Sequence, residues 1–354
     1  MSKIDWQNQV SNPTYFIADI AANHDGSLVR AKKLIQLAAE AGADAAKFQN
    51  FRAETIVSSR GFNELGKKLT HQAKWEKDVF DVYKDAELPI EWTEELIFTC
   101  MEFGIDYFTA PYDLEFIDYF ADKMPFFKIG SGDITWTESI KRMAQKGIPI
   151  LLATGASTLE EVSRTMAILE AYDVPVVLMQ CNTNYTGEID NFKYLNLSVL
   201  TQFSSLFPRA ILGLSDHSPG HVAVLGAVAL GARVVEKHFT DDTSRVGPDH
   251  GFSLDADAWR RMVDDTRLLE QALGDGVKKV EKNEFESRVV QRRALRFKSY
   301  LPKGHKVRKE DLVALRPIPE NGISPYFQDD FIGFTLNQDV EDDQLVTKEL
   351  FDSD

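Results

Sequence analysis

The chain has 354 residues, of which 55 are acidic and 40 are Lys or Arg, so its formal net charge is −15. Such a surface repels nucleic acid and anionic membranes over most of its area, which excludes both as expected partners and means that an anionic substrate needs a local basic pocket. The N-terminal segment lacks the apolar core of a signal peptide, and no apolar run approaches the roughly 20 residues of a membrane span, so we expect a cytoplasmic protein.

Short runs of β-branched and aromatic residues alternate with longer amphipathic stretches from residue 15 to residue 275. This alternation is typical of βα units around a parallel sheet. Eight units can be counted, and their spacing of roughly 30 residues predicts an α/β fold of the (β/α)8 TIM-barrel type. The predicted strands are 15–20, 44–49, 106–110, 126–129, 149–154, 175–180, 211–215 and 233–238.

Helices are predicted between these strands. Residues 27–43 have apolar side chains at helical spacing and reach a C-cap at Gly42, and residues 158–172 open with Thr158 followed by acidic residues. The connection at residues 50–92 is the exception, because it is far longer than an ordinary βα loop and is rich in charged and aromatic residues. It either covers a substrate at the top of the barrel or decorates the surface, and the sequence leaves both open.

The C-terminal part of the chain has a different pattern. Residues 292–354 contain short strand-like runs with Gly and Pro punctuation and no long helical period, which predicts a small β-rich domain. We therefore predict a barrel domain at residues 1–280, a linker at 281–291 and the small domain at 292–354. About 60 residues fold alone only marginally, so docking onto the barrel or onto a partner subunit is expected.

Polar residues gather at the C-terminal ends of the predicted strands, where (β/α)8 enzymes build their active sites. Polar residues scattered at random over the surface would not all fall at the same end of six strands. We therefore predict an active site at this end of the barrel. The candidate residues are Asp19; Lys47 and Gln49; Lys128, Ser131 and Asp133; Thr183 and Tyr185; Ser215 and His217; Glu236 and His238; and, in the turn after the last strand, Asp249.

Two histidines in this set indicate a metal site. His217 and His238 end the adjacent seventh and eighth strands and would project toward the same point. Two imidazoles with oxygen ligands suit a divalent ion such as Mn²⁺, Fe²⁺, Co²⁺ or Zn²⁺. A lone histidine is more often a hydrogen-bonded core residue, but the pairing on neighbouring strand ends favours a metal.

Two lysines in the same set indicate an anionic substrate. Lys47 and Lys128 would be buried in the barrel mouth, and an unpaired interior ammonium is costly. With the neighbouring serines and Gln49 they suit a small phosphorylated carboxylate. A structural salt bridge and a Schiff-base lysine of the class I aldolase type are the alternatives. Four acids are available for hydroxyl binding and proton transfer: Asp19, Asp133, Glu236 and Asp249.

Motifs along nearly the whole chain resemble those of the sialic acid (N-acetylneuraminate) synthase family, which includes the legionaminic and pseudaminic acid synthases. Each motif is weak alone, and several together are specific. In chain order they are ADIAANHDGS, GADAAKFQ, FFKIGSGD, LLATG, LGLSDHS, GAVALGARVVEKHFT, GPDHGFSL and VALRPIPENG.

The resemblance implies a transferase that condenses phosphoenolpyruvate with an open-chain N-acyl amino sugar, giving a nonulosonic acid and phosphate. The acceptor would be of the N-acetylmannosamine type or a 6-deoxy diamino hexose. The cofactor would be Mn²⁺, with Mg²⁺ or Co²⁺ as alternatives. The small domain would be an antifreeze-like (SAF) domain, which in a domain-swapped homodimer closes the partner's active site.

The resemblance also implies a role for each matching residue. Asp19, Asp133, His217 and His238 would be catalytic, and the two histidines would bind Mn²⁺. The phosphoenolpyruvate contacts would be Lys47, Gln49, Lys128, Ser131, Thr183 and Ser215. The acceptor contacts would be Tyr185, Glu236, Asp249 and, across the dimer, Arg316, whose planar guanidinium suits an N-acyl carbonyl.

Two positions depart from the family pattern. Asp19 stands where the family usually has Glu, and the segment CNTNYTG replaces a commoner C-T-x-x-Y-P pattern before and after Tyr185. Both lie where the acceptor and water would be handled. A metal-independent Schiff-base aldolase using Lys47 or Lys128, and a binding protein without turnover, therefore remain alternative functions.

Overall fold

The computed structural model describes residue 4 and residues 12–67, 72–73 and 75–352. The chain divides into two compact units, Met1–Gly274 and Asp275–Asp354.

The first unit contains an eight-stranded parallel barrel. The strand order is 3-2-1-8-7-6-5-4, with the first strand hydrogen-bonded to both the second and the eighth, and the third and fourth strands contacting each other. This confirms the predicted (β/α)8 class, and each predicted strand boundary lies within one residue of the observed one. The strands are β1 Tyr15–Asp19, β2 Ala45–Asn50, β3 Asp106–Pro111, β4 Phe127–Ile129, β5 Ile150–Ala153, β6 Val176–Cys181, β7 Ile211–Asp216 and β8 Val234–His238.

Helices connect the strands. In the described part of the first unit they are α1 Leu28–Glu40, α2 Ala53–Ile56, α3 Ser59–Glu64, α4 Val79–Asp85, α5 Thr93–Glu102, α6 Leu114–Phe120, α7 Thr137–Ala144, α8 Leu159–Ala171, α9 Val199–Leu206, α10 Val222–Ala229 and α11 Ala256–Leu273. No helix among the described residues combines the length and the apolar composition needed to cross a bilayer.

Local sequence signals explain where two of these helices begin and end. The α1 helix begins after Ser27, whose side chain accepts a hydrogen bond from the backbone of Arg30, and it is followed by Gly42 at φ +95°. Such a left-handed conformation favours glycine. The α8 helix begins at a capping box, in which Thr158 and Glu161 satisfy each other's backbone N–H groups. Both predicted helices are thus confirmed.

The side chains of each strand point alternately to the two sides of the barrel wall. In β8, Glu236 and His238 line a cavity inside the barrel mouth. Lys237, between them, is only 1% exposed and pairs with Asp216 of β7. The same alternation makes Lys47 line the cavity while Phe48 stacks on Tyr107 in the hydrophobic core.

The second unit is small and contains a two-stranded antiparallel sheet. Its strands are β9 Ala294–Phe297 and β10 Leu312–Leu315, and isolated bridges join further segments, such as Leu301 to Val340. It has a hydrophobic core of its own, which includes Phe297 and Val346. The segment predicted as a linker contains a 3-10 turn at Lys282–Glu284 and helix α12 at Phe285–Gln291.

Candidate active site

A cavity of about 340 Å³ lies at the C-terminal ends of the barrel strands. It brings together the sequence-predicted site residues of the first unit, with one exception. Those lining it are Asp19, Lys47, Gln49, Lys128, Ser131, Asp133, Tyr185, Ser215, His217, Glu236, His238 and Asp249.

Two predicted site residues lie elsewhere. Thr183 does not line the cavity wall, and its side chain lies beside Gly155, which the side chain of Ser131 also approaches. Arg316 is exposed and belongs to the second unit, directly after β10.

A buried cluster of charges forms the floor of the cavity. The Lys47 Nζ atom lies 2.6 Å from Asp19 Oδ2 and 2.8 Å from Glu236 Oε1. Glu236 Oε1 also lies 3.2 Å from Lys128 Nζ and accepts a hydrogen bond of 3.2 Å from Ser215 Oγ. The carboxylate of Glu236 therefore holds three side chains that the sequence analysis assigns to phosphoenolpyruvate.

The cluster favours the charged forms of Lys47 and Glu236, whereas burial raises the pKa of Asp19 and lowers that of Lys128. Burial pulls the pKa of Lys47 down, but the carboxylates of Asp19 and Glu236 outweigh it and raise that pKa above the ordinary lysine value. Burial raises the pKa of Glu236, but the ammonium groups of Lys128 and Lys47 hold that pKa below its usual range. Burial lowers the pKa of Lys128, and the attraction of Glu236 only partly offsets this. Lys47 is thus a fixed cation, and Lys128 is the lysine more easily deprotonated.

The two histidines stand side by side at the cavity wall. The ring centroids of His217 and His238 are 5.4 Å apart. The Nδ1 atom of His217 lies 2.9 Å from the backbone oxygen of Asn182 and must carry the proton, because a carbonyl oxygen only accepts. Its Nε2 lone pair is therefore available. The Nε2 atom of His238 lies 3.5 Å from Asp19 Oδ2, and its Nδ1 atom is buried without a hydrogen-bond partner among the described residues.

Both imidazoles are neutral at physiological pH. Burial, and then the neighbouring His238, lower the pKa of His217 to about 3. Burial, and then Lys47, lower the pKa of His238 to about 3. Neutral imidazoles are the form that binds metal ions. In the part of the chain that the structure describes, no group of three or more His, Cys, Asp or Glu side chains is assembled as a metal site, so further ligands would have to come from water or substrate.

Aromatic rings fix the orientation of the two imidazoles. The ring of Tyr185 lies 4.1 Å from His217, and Phe252 lies edge-on to His238 at 4.9 Å between centroids. Packing of this kind restricts the rotamers of both histidines.

A buried ion pair on the other side of the barrel wall supports the same histidines. Lys237 Nζ lies 2.6 Å from Asp216 Oδ2 and donates to the backbone oxygen of Ser218 at 2.6 Å. Asp216 in turn accepts hydrogen bonds from the backbone and side chain of Ser218. Because Asp216 and Ser218 flank His217 and Lys237 precedes His238, this pair ties the two histidine-bearing strand ends together.

Two carboxyl groups of the cavity have pKa values near neutrality. Burial raises the pKa of Asp249 to about 7 and that of Asp133 to about 6. Asp249 Oδ2 accepts a hydrogen bond of 3.1 Å from the backbone of Ala22, and the loop that bears it is held by His250 and Arg245, which both bond to Asp25. These acids are suited to gaining or losing a proton near pH 7.

Asp249→Asn is expected to change the pH dependence of stability. Because folding raises this pKa from 3.8 to about 7, the folded state binds more protons than the unfolded state between these values, and stability falls as pH rises through them. The variant lacks this titration, so its free energy of unfolding minus that of the unmodified protein, both measured with chelator, should be about 2–3 kcal/mol higher at pH 8 than at pH 5. Urea unfolding at both pH values measures this, with exposed Asp257→Asn as control. An equal difference at both pH values would contradict the assignment.

Comparisons with known proteins place this geometry in a family. The NeuB family model matches residues 34–278. The chain belongs to the NeuB family. It is 33% identical over 340 residues to the N,N'-diacetyllegionaminic acid synthase of Campylobacter jejuni, which covers 94% of this chain and 98% of that protein. It is 28% identical to the human N-acetylneuraminate-9-phosphate synthase, over 97% of this chain and 94% of that protein.

A solved structure of a similar protein shares the architecture. The crystal structure of N-acetylneuraminic acid synthetase from Leptospira borgpetersenii in complex with citrate superposes with a TM-score of 0.68 at 27% identity, and it covers 78% of this chain and 90% of that one. Relatives named as synthases support an enzyme built on the same barrel. The predicted family is thereby confirmed.

Several lining residues of this NeuB-family site were missed by the sequence analysis. Tyr112 and Cys181 line the cavity at the ends of β3 and β6. The strand-end rule that found the other residues would have found both. Trp75 and Tyr83 line it from the long 50–92 connection, and the aromatic content of that segment was their one signal. The described part of the connection therefore forms part of the cavity wall as well as part of the surface. That the connection covers a bound substrate stays a prediction.

Gly155→Ala should damage the site directly. A Cβ atom here would lie 2.5 Å from Thr183 Cγ2 and 2.9 Å from Ser131 Oγ, and Ser131 Oγ accepts a hydrogen bond from the Gly155 backbone. Overpacking of this kind costs about 1–3 kcal/mol. We expect that loss in urea unfolding and weaker phosphoenolpyruvate binding in calorimetry. Gly251→Ala, where a Cβ meets nothing within 4 Å and which does not line this cavity, is the matched control, and equal behaviour of both variants would disprove the expectation.

Proposed function

We propose that this chain is a transferase that condenses phosphoenolpyruvate with an open-chain N-acyl amino sugar and releases phosphate and a nonulosonic acid. The observation that carries the proposal is the convergence of Lys47, Lys128 and Ser215 on one oxygen of Glu236, directly beside two neutral imidazoles. An anion can bind to such lysines while the carbonyl reactant lies near the imidazoles. The names of the relatives in the NeuB family support the same reaction.

Phosphoenolpyruvate would bind on the lysine side of the cavity. Its phosphate and carboxylate need cations and donors, and Lys47, Lys128, Gln49, Ser131 and Ser215 supply them. Glu236 would act as the internal counter-ion that keeps both lysines in place. We therefore propose this role for Glu236 in preference to the acceptor contact that the resemblance implies.

The two histidines fit a divalent metal, for which we propose Mn²⁺, with Mg²⁺ or Co²⁺ as alternatives. The fit rests on the free Nε2 lone pair of His217 and the orphaned, buried Nδ1 of His238. His217 and His238 would hold the ion, and water or the acceptor would complete its coordination. When bound, such an ion supplies Lewis-acid polarisation of the acceptor aldehyde.

In the proposed reaction the methylene carbon of phosphoenolpyruvate forms a bond to the aldehyde carbon, and the aldehyde oxygen gains a proton. Water adds to the former enol carbon and loses one proton, which balances the proton that the aldehyde oxygen gains. The hydroxyl that results becomes the ketone oxygen and passes its proton to the departing phosphate as the bond from that carbon to the phosphate oxygen breaks. Asp133, whose pKa burial raises to about 6, and Asp19, beside Lys47, would handle these protons. Asp249 and Tyr185, which also line the cavity, would bind the acceptor hydroxyls.

We also propose that the second unit is a SAF domain and that the protein works as a homodimer with this domain swapped. The exposed position of Arg316 after β10 suits a residue that serves a partner subunit. Dimerisation is tested by sedimentation. The role of Arg316 is tested by Arg316→Ala, which should raise KM for the acceptor while leaving KM for phosphoenolpyruvate unchanged.

Phosphate release from phosphoenolpyruvate in the presence of Mn²⁺ tests the reaction. N-acetylmannosamine and a 6-deoxy diamino hexose should each be offered, with mass spectrometry of the product. The expected product mass is the sum of both reactants and water, less phosphate.

A Schiff-base aldolase is the second candidate function, and Lys128, whose pKa burial lowers, would serve it. Borohydride trapping of a carbonyl substrate on Lys128 would favour that second function. Absence of product with all acceptors would favour a binding protein.

A further inference from the structure

The hydroxyl of Tyr112 is a polar group of the cavity that the proposed reaction leaves unused. Tyr112 directly follows β3, and its backbone N–H donates to the backbone oxygen of Asn50 at the end of β2, which fixes its position at the barrel mouth. Its side chain is partly buried and lines the cavity. Among the residues that the structure describes, the hydroxyl forms no hydrogen bond. It is therefore a donor that a ligand can use.

A glycine makes room for this hydroxyl. Gly130 directly follows β4, and a Cβ atom built on it would lie 2.7 Å from Tyr112 Oη. Its φ of −68° and ψ of 151° are open to any residue, so the backbone conformation does not require glycine here. The clash is mainly with the hydroxyl, because the ring atoms Cε1 and Cζ lie farther away, at 3.3 and 3.4 Å. The absence of a side chain at Gly130 therefore matches a hydroxyl at this point of the cavity.

The hydroxyl lies on the side of the cavity that the proposed reaction gives to phosphoenolpyruvate. Gly130, against which it packs, stands between Lys128 and Ser131 in the sequence, and all three belong to the C-terminal end of β4. The strands β3 and β4 are the farthest around the barrel from β7 and β8, which bear the two histidines. Tyr112 is therefore beside the groups assigned to phosphoenolpyruvate and across the cavity from the proposed metal ligands.

Phosphoenolpyruvate carries more negative charge than the lysines of the cavity offset. Its carboxylate and phosphate together bear about three negative charges near neutral pH. Lys47 is already bonded to Asp19 and Glu236, so neutral donors must supply part of the binding. Burial, and then the carboxylate of Asp133, raise the pKa of Tyr112 well above that of an ordinary tyrosine. This phenol therefore keeps its proton and can donate it in a hydrogen bond to an anion.

We propose that Tyr112 is a further substrate-binding residue of this site, whose hydroxyl donates a hydrogen bond to an anionic oxygen of phosphoenolpyruvate. Gly130 is the residue that makes room for this donor. The inference rests on the proposed function, because it takes phosphoenolpyruvate as the ligand. A hydrogen bond to a charged group contributes more than one between neutral groups, so its loss is measurable in binding.

Tyr112→Phe tests the donor, because it removes the hydroxyl and keeps the ring. Phosphoenolpyruvate is titrated calorimetrically into the full chain with Mn²⁺ and without an acceptor. We expect the Kd to rise at least about tenfold, as for the loss of a hydrogen bond to a charged group. Stability in urea should stay unchanged, because the hydroxyl has no partner among the described residues. Tyr119→Phe, on α6 and outside the cavity, is the matched control and should bind like the unmodified protein.

Gly130→Ala tests the fit between the two residues. In the otherwise unmodified chain its Cβ should displace the hydroxyl and weaken phosphoenolpyruvate binding about as much as Tyr112→Phe does. In the Tyr112→Phe background the same change should weaken binding less than about threefold, because the atom that the methyl group meets most closely is gone. A glycine needed only for the local backbone would give equal losses in both backgrounds.

The outcomes separate this inference from the proposed reaction. Unchanged affinity for phosphoenolpyruvate in Tyr112→Phe, or equal losses from Gly130→Ala in both backgrounds, overturns the inference even if the chain releases phosphate with an acceptor. Weaker binding in Tyr112→Phe that is coupled to Gly130 supports the donor even if no acceptor leads to phosphate release, a result that contradicts the reaction. Failure of the unmodified chain to bind phosphoenolpyruvate overturns both.

Discussion

His217→Ala protein is expected to bind Mn²⁺ at least about a hundredfold more weakly than the unmodified chain and to lose turnover by at least about a thousandfold. Loss of a partner outside the coordination sphere already costs 10–100-fold in metal affinity, so loss of a direct ligand should cost no less. Lewis-acid stabilisation of several kcal/mol would be lost from the reaction. Calorimetry and metal content after dialysis measure the first effect, and phosphate release measures the second.

His221→Ala is the matched control. This histidine is four residues further along, partly exposed, and bonded to Asp265 on α11. It should bind Mn²⁺ and turn over like the unmodified protein, which separates loss of a ligand from a general effect of removing an imidazole. Full activity of chelator-treated His217→Ala would eliminate the metal from the proposed reaction.

The position of the candidate site could be predicted because two regularities fix it. The alternation of strand side chains and the location of (β/α)8 sites at strand C-terminal ends together bring Lys47, Ser215 and Glu236 to one cavity. Neither depends on loop conformation. The observed strands accordingly differ from the predicted ones by no more than one residue at either end.

The connection at residues 50–92 could not be placed in the same way. Its described part contains the short helices α2, α3 and α4, whose sequence has no sustained period that would indicate which face points inward. That Trp75 and Tyr83 reach the cavity depends on tertiary packing against the barrel mouth. The pairing of Lys77 with Asp85 likewise depends on contacts that no local signal specifies.

The counter-ion role proposed for Glu236 also could not be predicted from the sequence. Its position at the end of β8 predicts that it lies at the cavity. The position does not predict whether its carboxylate faces the lysines or the acceptor. The contacts to Lys47 and Lys128 at 2.8 and 3.2 Å show that its carboxylate faces the lysines. A buried carboxylate between two buried ammonium groups offsets the cost of their desolvation. A carboxylate that contacted only an uncharged sugar would not offset that cost.

Lys237→Met is expected to destabilise the protein by about 3–5 kcal/mol, which is the usual cost of removing one partner of a buried ion pair. Lys237 and Asp216 are 1% and 3% exposed, so the variant leaves an uncompensated carboxylate behind His217. Urea unfolding measures the loss. Lys84→Met removes an exposed lysine that is paired with Glu54, and it should leave the free energy of unfolding nearly unchanged because solvent screens such pairs.

The double variant Asp216→Leu with Lys237→Met distinguishes stability from positioning. Replacing both partners of a buried pair by apolar side chains is often neutral, so much of the lost stability should return. Mn²⁺ affinity should not return, because Asp216 also holds the backbone and side chain of Ser218 next to His217. We expect metal affinity to stay at least about tenfold below that of the unmodified protein, as for other residues that orient metal ligands.

Two outcomes would contradict these expectations. Recovery of both stability and Mn²⁺ affinity in the double variant would show that the pair is a purely structural contact. A loss of stability below about 1 kcal/mol in Lys237→Met would contradict the buried pairing itself.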